Sequence, residues 1–218
     1  MSEQQVRAAH RVRQRTDGAR HGRSGRRAGP WLAVGLVVLA LAVTGVVGVR
    51  WWQDHSNPAA IVGQRGTEFP AVDSSMLDPT QAEVVAVTRR EFRDPGAGAK
   101  YAEGASEPWC ADFVSWVMRE SGAPLANPNS GSWRIPGVYT LQEYYASAGR
   151  FAPVGSYQPR TGDVLMYDNT SPFGQHTNIV LKSGAGAVTT IGGNEFGEVS
   201  IHTFALAEVP GIVGFGRL

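Results

Sequence analysis

Pro108-Trp109-Cys110-Ala111-Asp112-Phe113-Val114-Ser115-Trp116-Val117 contains the only cysteine of the 218-residue chain. Phe113, Val114 and Val117 recur at three- and four-residue spacing, which predicts an amphipathic helix with one buried stripe. Pro108 suits the entry to that helix, and Gly122 with Pro124 suits its end. Cys110 therefore falls in the first turn, where unpaired backbone N–H groups and the positive end of the helix dipole favour an anion. A thiolate is such an anion. A lone cysteine more often simply fills a core, so a functional assignment needs a base elsewhere in the chain.

Outward from this stretch, the chain changes texture several times. Residues 1–30 carry eight arginines against Glu3 and Asp17, so the basic character belongs to this tail. The remainder is net acidic, because the whole chain sums to only +1. That distribution argues against a nucleic-acid-binding domain. The uncharged run Trp31–Val49 follows; as a helix it spans roughly 28 Å, about the hydrocarbon thickness of a bilayer. With arginines before it and Trp51-Trp52 after it, the run is expected to be a single uncleaved transmembrane helix with a cytoplasmic N-terminus. The alternative is a secreted protein, cleaved near Ala40-Leu41-Ala42. Residues 50–75 mix Gly, Pro, Ser and charges without a period and are expected to form an exposed linker.

Residues 76–218 then suffice for one domain with its own core. Asp78-Pro79-Thr80-Gln81 reads as a capped helix start, with Val84, Val85 and Phe92 on one face and Asp94-Pro95-Gly96 as the stop. After the cysteine helix, Val138, Leu141, Tyr144, Tyr145 and Ala148 outline a third short helix. From Gly162 onward short strands are expected over 163–167, 177–183, 187–191, 198–204 and 211–215, separated by Gly, Asn and Pro. Helices first and strands later predict an α+β domain, with the helices packed on an antiparallel sheet.

A cysteine nucleophile needs a base and a group to orient it. His176 sits where a loop feeds a strand, and Asn194 and Glu195 follow at the close of the next strand. His202 lies in an alternating strand and reads as structural. One cysteine and histidines scattered at 10, 21, 55, 176 and 202, with no paired ligand spacing, predict neither a metal site nor a cofactor.

Four ordered motifs carry a resemblance: Pro-Trp-Cys-Ala-Asp-Phe-Val-Ser-Trp-Val, then Pro159-x-x-Gly-Asp-Val164, then His176-x-x-Ile-Val, then Ile191-x-Gly-Asn194. From about Tyr101 to Phe204 the chain resembles the CHAP family of cysteine- and histidine-dependent amidohydrolases/peptidases. The resemblance implies a papain-like α+β fold and cleavage of amide bonds in peptidoglycan, as an endopeptidase or an N-acetylmuramoyl-L-alanine amidase. It implies Cys110 as nucleophile, His176 as base and Asn194 as the orienting residue. Relatives often carry glutamate at the position held here by Gly192, so Glu195 is the alternative third member. Among the two neighbours, which face opposite sides of a strand, Asn194 is expected to be the one that points at His176.

Tyr101, Trp109 and Trp133 are candidates to line a substrate groove; Tyr101 is also a candidate second oxyanion donor beside the Cys110 N–H, with core packing as the favoured reading of its side chain. The expected partners are peptidoglycan and the membrane, together with a cell-envelope protein complex. A rival to the enzyme is a catalytically silent module that holds peptidoglycan or such a complex.

Overall fold

The computed structural model describes residues 62–218. The basic tail and the run Trp31–Val49 lie outside the described residues. Within the described residues no helix is long and apolar enough to cross a membrane.

Among the described residues, four α-helices precede most of the sheet. Helix α1, Pro79–Arg93, begins as its sequence dictates: the Asp78 carboxylate accepts from Gln81 N–H at 2.9 Å, and Gln81 Oε1 accepts from Asp78 N–H at 3.0 Å. A cap of this kind is worth about 1 kcal/mol. The Gln81 amide also donates to Thr161 O at 2.9 Å, tying the helix start to the turn that enters the sheet. The one-turn helix α2, Gly98–Tyr101, is anchored by buried Glu91, which accepts from Tyr101 Oη at 2.8 Å and from Lys100 Nζ at 2.5 Å. Helix α3, Cys110–Glu120, follows, and α4 spans Val138–Ser147.

Helix α3 is buried on every side from Cys110 to Met118, not along a single stripe as expected. The reason is its position: α1, α2 and α4 surround it while the strands His176–Gly184 and Ala187–Glu195 lie beneath it. Its hidden side carries two polar residues, of which Ser115 is hydrogen-bonded and Asp112 lies at ion-pair distance from Arg134 without a hydrogen bond to either carboxylate oxygen. Ser115 Oγ donates to Ala111 O at 2.9 Å and accepts from Ile135 N–H at 3.1 Å, and Asp112 pairs with Arg134 Nε at 2.7 Å.

The sheet is antiparallel throughout, in the order β1-β6-β5-β4-β3-β7-β2. Its strands are β1 Gln64–Arg65, β2 Phe151–Pro153, β3 Val164–Tyr167, β4 His176–Gly184, β5 Ala187–Glu195, β6 Glu198–Ala205 and β7 Ile212–Gly216. Period-two alternation sorts the side chains into two cores. Val164, Met166, Ile179 and Ile191 join the helices, whereas Leu165, Tyr167, Val180 and Phe215 pack on the opposite face. Each such side chain contributes about 1.5–3 kcal/mol by leaving water.

The expected linker is corrected where it is described. Val62 is fully buried, and Gln64 and Arg65 pair with Thr203 and His202 at the edge of β6. Polar composition hid this because an edge strand needs main-chain pairing more than an apolar pattern. β1, β2 and α2 are too short for periodicity to reveal. Strand β5 also continues past Ile191, through two glycines and Asn194, to Glu195.

Candidate active site

Cys110 is the first residue of α3, with Trp109 as the cap residue. At that position its backbone N–H has no carbonyl one helical turn back to bond. Two glycines allow the helix start to sit close to its neighbours. A Cβ on Gly98 would lie 2.5 Å from the Trp109 indole, and one on Gly193 would lie 2.5 Å from Phe113 Cβ and 2.6 Å from Trp109 Cζ3. Gly193 therefore lets β5 pass against the first turn of α3, and β4 beside it brings His176 to the cysteine.

His176 opens β4 and is almost fully buried. Its Nε2 lies 3.4 Å from Glu195 Oε1, which leaves Nδ1 as the ring nitrogen available to the thiol. Burial works against a charged imidazole here. Hydrogen bonding and charge from Cys110, and then from Glu195, outweigh it, and His176 is pushed up from 6.5 to about 9. Phe173 stacks on the ring, with centroids 4.8 Å apart, and shields it from water.

Glu195 is 1% exposed. Its Oε1 also accepts from Asn178 Nδ2 at 3.2 Å, and its Oε2 accepts from the Ser200 hydroxyl. His202 Nε2 stands 3.6 Å from Oε2. The expectation that Asn194 points at His176 is thus corrected: among the described residues no hydrogen bond joins the two, and Glu195, the alternative, faces the ring. The cause is a β-bulge. Gly192 pairs with Ser200 but Glu195 pairs with Glu198, so β5 holds one residue more than β6 between these pairs. Asn194 takes up the extra residue in a left-handed conformation, φ 57°. Glu195 is thereby moved onto the face that Asn194 would otherwise occupy.

Gly192 completes the arrangement. A Cβ there would lie 2.2 Å from Glu195 Oε1 and 3.0 Å from Asn178 Cβ. The Glu195 carboxylate fills the space that a side chain at position 192 would take.

Residues 101–194 match the family model of the CHAP domain. No curated protein matches the chain. The CHAP match covers Cys110 and His176 and stops at Asn194, so Glu195, Ser200 and His202 lie beyond it. The mixed helical and antiparallel architecture is consistent with that domain, and the match points to hydrolysis of the peptidoglycan amidase/peptidase type.

The expected groove is corrected in part. Tyr101 is fully buried, stacked on Trp109 with centroids 5.1 Å apart, and its hydroxyl is committed to Glu91 and to Gly96 N–H. Neither a groove contact nor an oxyanion donor is left on it. Trp109 is likewise a core residue. Trp133 stays half-buried beneath Arg119, whose guanidinium lies 4.0 Å from the ring centroid. Residues missed by sequence reasoning are Asn178, Ser200, His202 and Phe173. The two-residue spacing of Ser200 and His202 on β6 was the available signal, since it sets both on one face of the sheet.

Proposed function

We propose that residues 62–218 form a cysteine amidohydrolase/peptidase that cleaves amide bonds of peptidoglycan, with Cys110 as nucleophile, His176 as general acid–base and Glu195 as its orienting carboxylate. One observation carries this: a cysteine at the first residue of a helix sits beside a buried histidine whose other nitrogen faces a carboxylate. Structural cysteines have no need of that combination.

The Cys110 thiolate attacks the amide carbonyl carbon, and the carbonyl electron pair moves to oxygen. The Cys110 backbone N–H donates to that oxyanion, a contact of a kind worth a few kcal/mol. The tetrahedral adduct collapses as imidazolium His176 gives its Nδ1 proton to the departing nitrogen, leaving a thioester and a free amine. Water, deprotonated by the now neutral His176, attacks the thioester and returns the thiolate and imidazolium. Glu195 keeps Nε2 protonated throughout and fixes the plane of the ring, the role that a carboxylate or amide plays in related triads.

Purified peptidoglycan incubated with the full-length chain is expected to release fragments with new amine and carboxyl ends, identified by mass. Cys110→Ser is expected to lower that release at least about a thousandfold with the fold intact, since a serine lacks the thiolate for which the imidazole is tuned. Binding of peptidoglycan without fragments would favour the silent module instead.

The uncharged run Trp31–Val49 after an arginine-rich tail supports an uncleaved anchor that holds the domain on the wall side of the membrane. Protease added to protoplasts is then expected to remove the domain and spare a short N-terminal fragment. A protease-independent soluble form with a new N-terminus near Val43 would instead establish secretion.

A further inference from the structure

Beyond the Cys110–His176–Glu195 set, strand β6 buries two polar residues that the mechanism above leaves unused. Ser200 and His202 lie on the same face of β6, 2% and 0% exposed. The Ser200 hydroxyl donates to Glu195 Oε2 and stands 3.1 Å from His202 Nε2. A hydroxyl has one proton. If it goes to the carboxylate, His202 must carry its proton on Nε2 and donate it to Ser200 Oγ. The result is a chain of donors from His202 through Ser200 to Glu195, ending on His176.

We propose that Ser200 and His202 are positioning residues that clamp one oxygen of Glu195 so that the other faces His176; this rests on the cysteine-hydrolase reading of the site. Asn178 holds only Oε1, at 3.2 Å, and three features give the clamp on Oε2 its role. Glu195 leaves a bulged strand and lies over Gly192, which offers no side chain to confine it. Its long side chain has several rotamers, which the space at Gly192 alone does not select. Phe173 packs across both imidazoles, stacked on His176 and edge-on to His202 at 5.6 Å, so water is poorly placed to replace a lost donor.

The groups facing His202 come from three other strands: Arg65 on β1, Glu195 on β5 and His176 on β4. Burial, aided by Arg65, holds His202 below its ordinary range against the upward pull of Glu195 and the Val62 main chain. A neutral ring has a single proton: on Nε2 it serves the donor chain, on Nδ1 it would face the Val62 main chain, and the clamp requires it on Nε2.

The test is a pH titration of the histidine ring nitrogens by NMR in the full-length chain in detergent, together with the rate of Cys110 carboxymethylation by iodoacetate. In the unmodified protein His176 is expected to titrate near 9 and His202 to carry its proton on Nε2. In Ser200→Ala and His202→Leu the His176 midpoint is expected to fall by about one pH unit and the carboxymethylation rate at neutral pH about tenfold. His202→Gln, which can still donate to Ser200, is expected to recover most of the loss. An ordinary His176 midpoint in the unmodified protein would sink the cysteine–histidine pair itself. A high midpoint that stays unchanged in the folded Ser200→Ala and His202→Leu proteins would overturn the clamp alone. Should either variant fail to fold, His202 protonated on Nδ1 in the unmodified protein overturns it as well.

Discussion

The first turn of α3 and the turn joining β5 to β6 both deliver a residue to the same site, but the direction of their side chains comes from different physics. At the start of α3, a proline, a local apolar period and the helix geometry fix where Cys110 sits, and all three are written within ten residues. At the end of β5, a one-residue bulge decides which neighbour faces inward, and that bulge exists only through pairing with β6. The helix start is a local property, whereas the strand end is a property of two strands together.

The sharpest way to break this contrast is to exchange the two neighbours at the strand end. Glu195→Gln is expected to lower turnover by roughly ten- to a thousand-fold, the span over which acid–base help typically contributes. Asn194→Ala is expected to stay within about threefold, because its side chain lies outside the donor chain. Steady-state rates on peptidoglycan measured for both folded variants check the order; the reverse order would return the orienting role to Asn194.

Gly192→Ala probes the space that the bulge uses. The new Cβ would meet the far end of a flexible side chain, Glu195 Oε1, so the chain can yield at small cost in stability. The carboxylate must then leave its place beside His176, and turnover is expected to fall about tenfold while the melting temperature moves only a few degrees. A large loss of stability with unchanged turnover per folded molecule would show that the site does not depend on this packing.

The pH dependence follows from His176 being raised from 6.5 to about 9. A base whose folded value is raised contributes stability fully below its unfolded value and loses it as pH rises through the folded value. The pair is therefore expected to stabilise the protein below about pH 6.5 and to lose that contribution on the way to about 9, with the alkaline limb of activity in the same window. Comparing melting temperatures of the parent and Glu195→Gln across this range checks the sign, since the gap between them should narrow as pH rises. A gap independent of pH would contradict it.

The smallest effect concerns the turn itself. Phe196 and Gly197 both have positive φ, 58° and 85°, the pattern of a two-residue hairpin turn that favours Asn-Gly. A phenylalanine there is strained by about 1 kcal/mol, partly offset by packing on Phe173 at 5.9 Å. Phe196→Asn is expected to raise stability by about 0.5 kcal/mol in denaturant unfolding. A loss above about 1 kcal/mol would mean that the aromatic contact outweighs the backbone term.

The same contrast explains what could be seen in the chain before its structure. The capping box at Asp78 and Gln81, the position of Cys110 and the strand carrying His176 all depend on neighbours close in sequence, and each was legible. Helix burial on all sides was not, because α3 owes it to three other helices and two strands. β1 was read as linker because Gln64 and Arg65 carry no apolar signal and gain their place through main-chain bonds to β6. Trp109 was a groove candidate because aromatic residues serve at surfaces and in cores alike; for Tyr101 packing was the favoured reading and it is buried, but its hydroxyl partner Glu91, ten residues away on another helix, was not legible. His202 was read as structural because nothing near it in sequence announces that Glu195 folds back toward it.

The most direct test of the central claim is to catch the acyl-enzyme. Full-length protein mixed with soluble peptidoglycan fragments, acid-quenched within a turnover and digested, is expected to show a thioester adduct on the peptide containing Cys110, absent from Cys110→Ser. Fragment release without such an adduct, or an adduct on another residue, would contradict nucleophilic catalysis by Cys110.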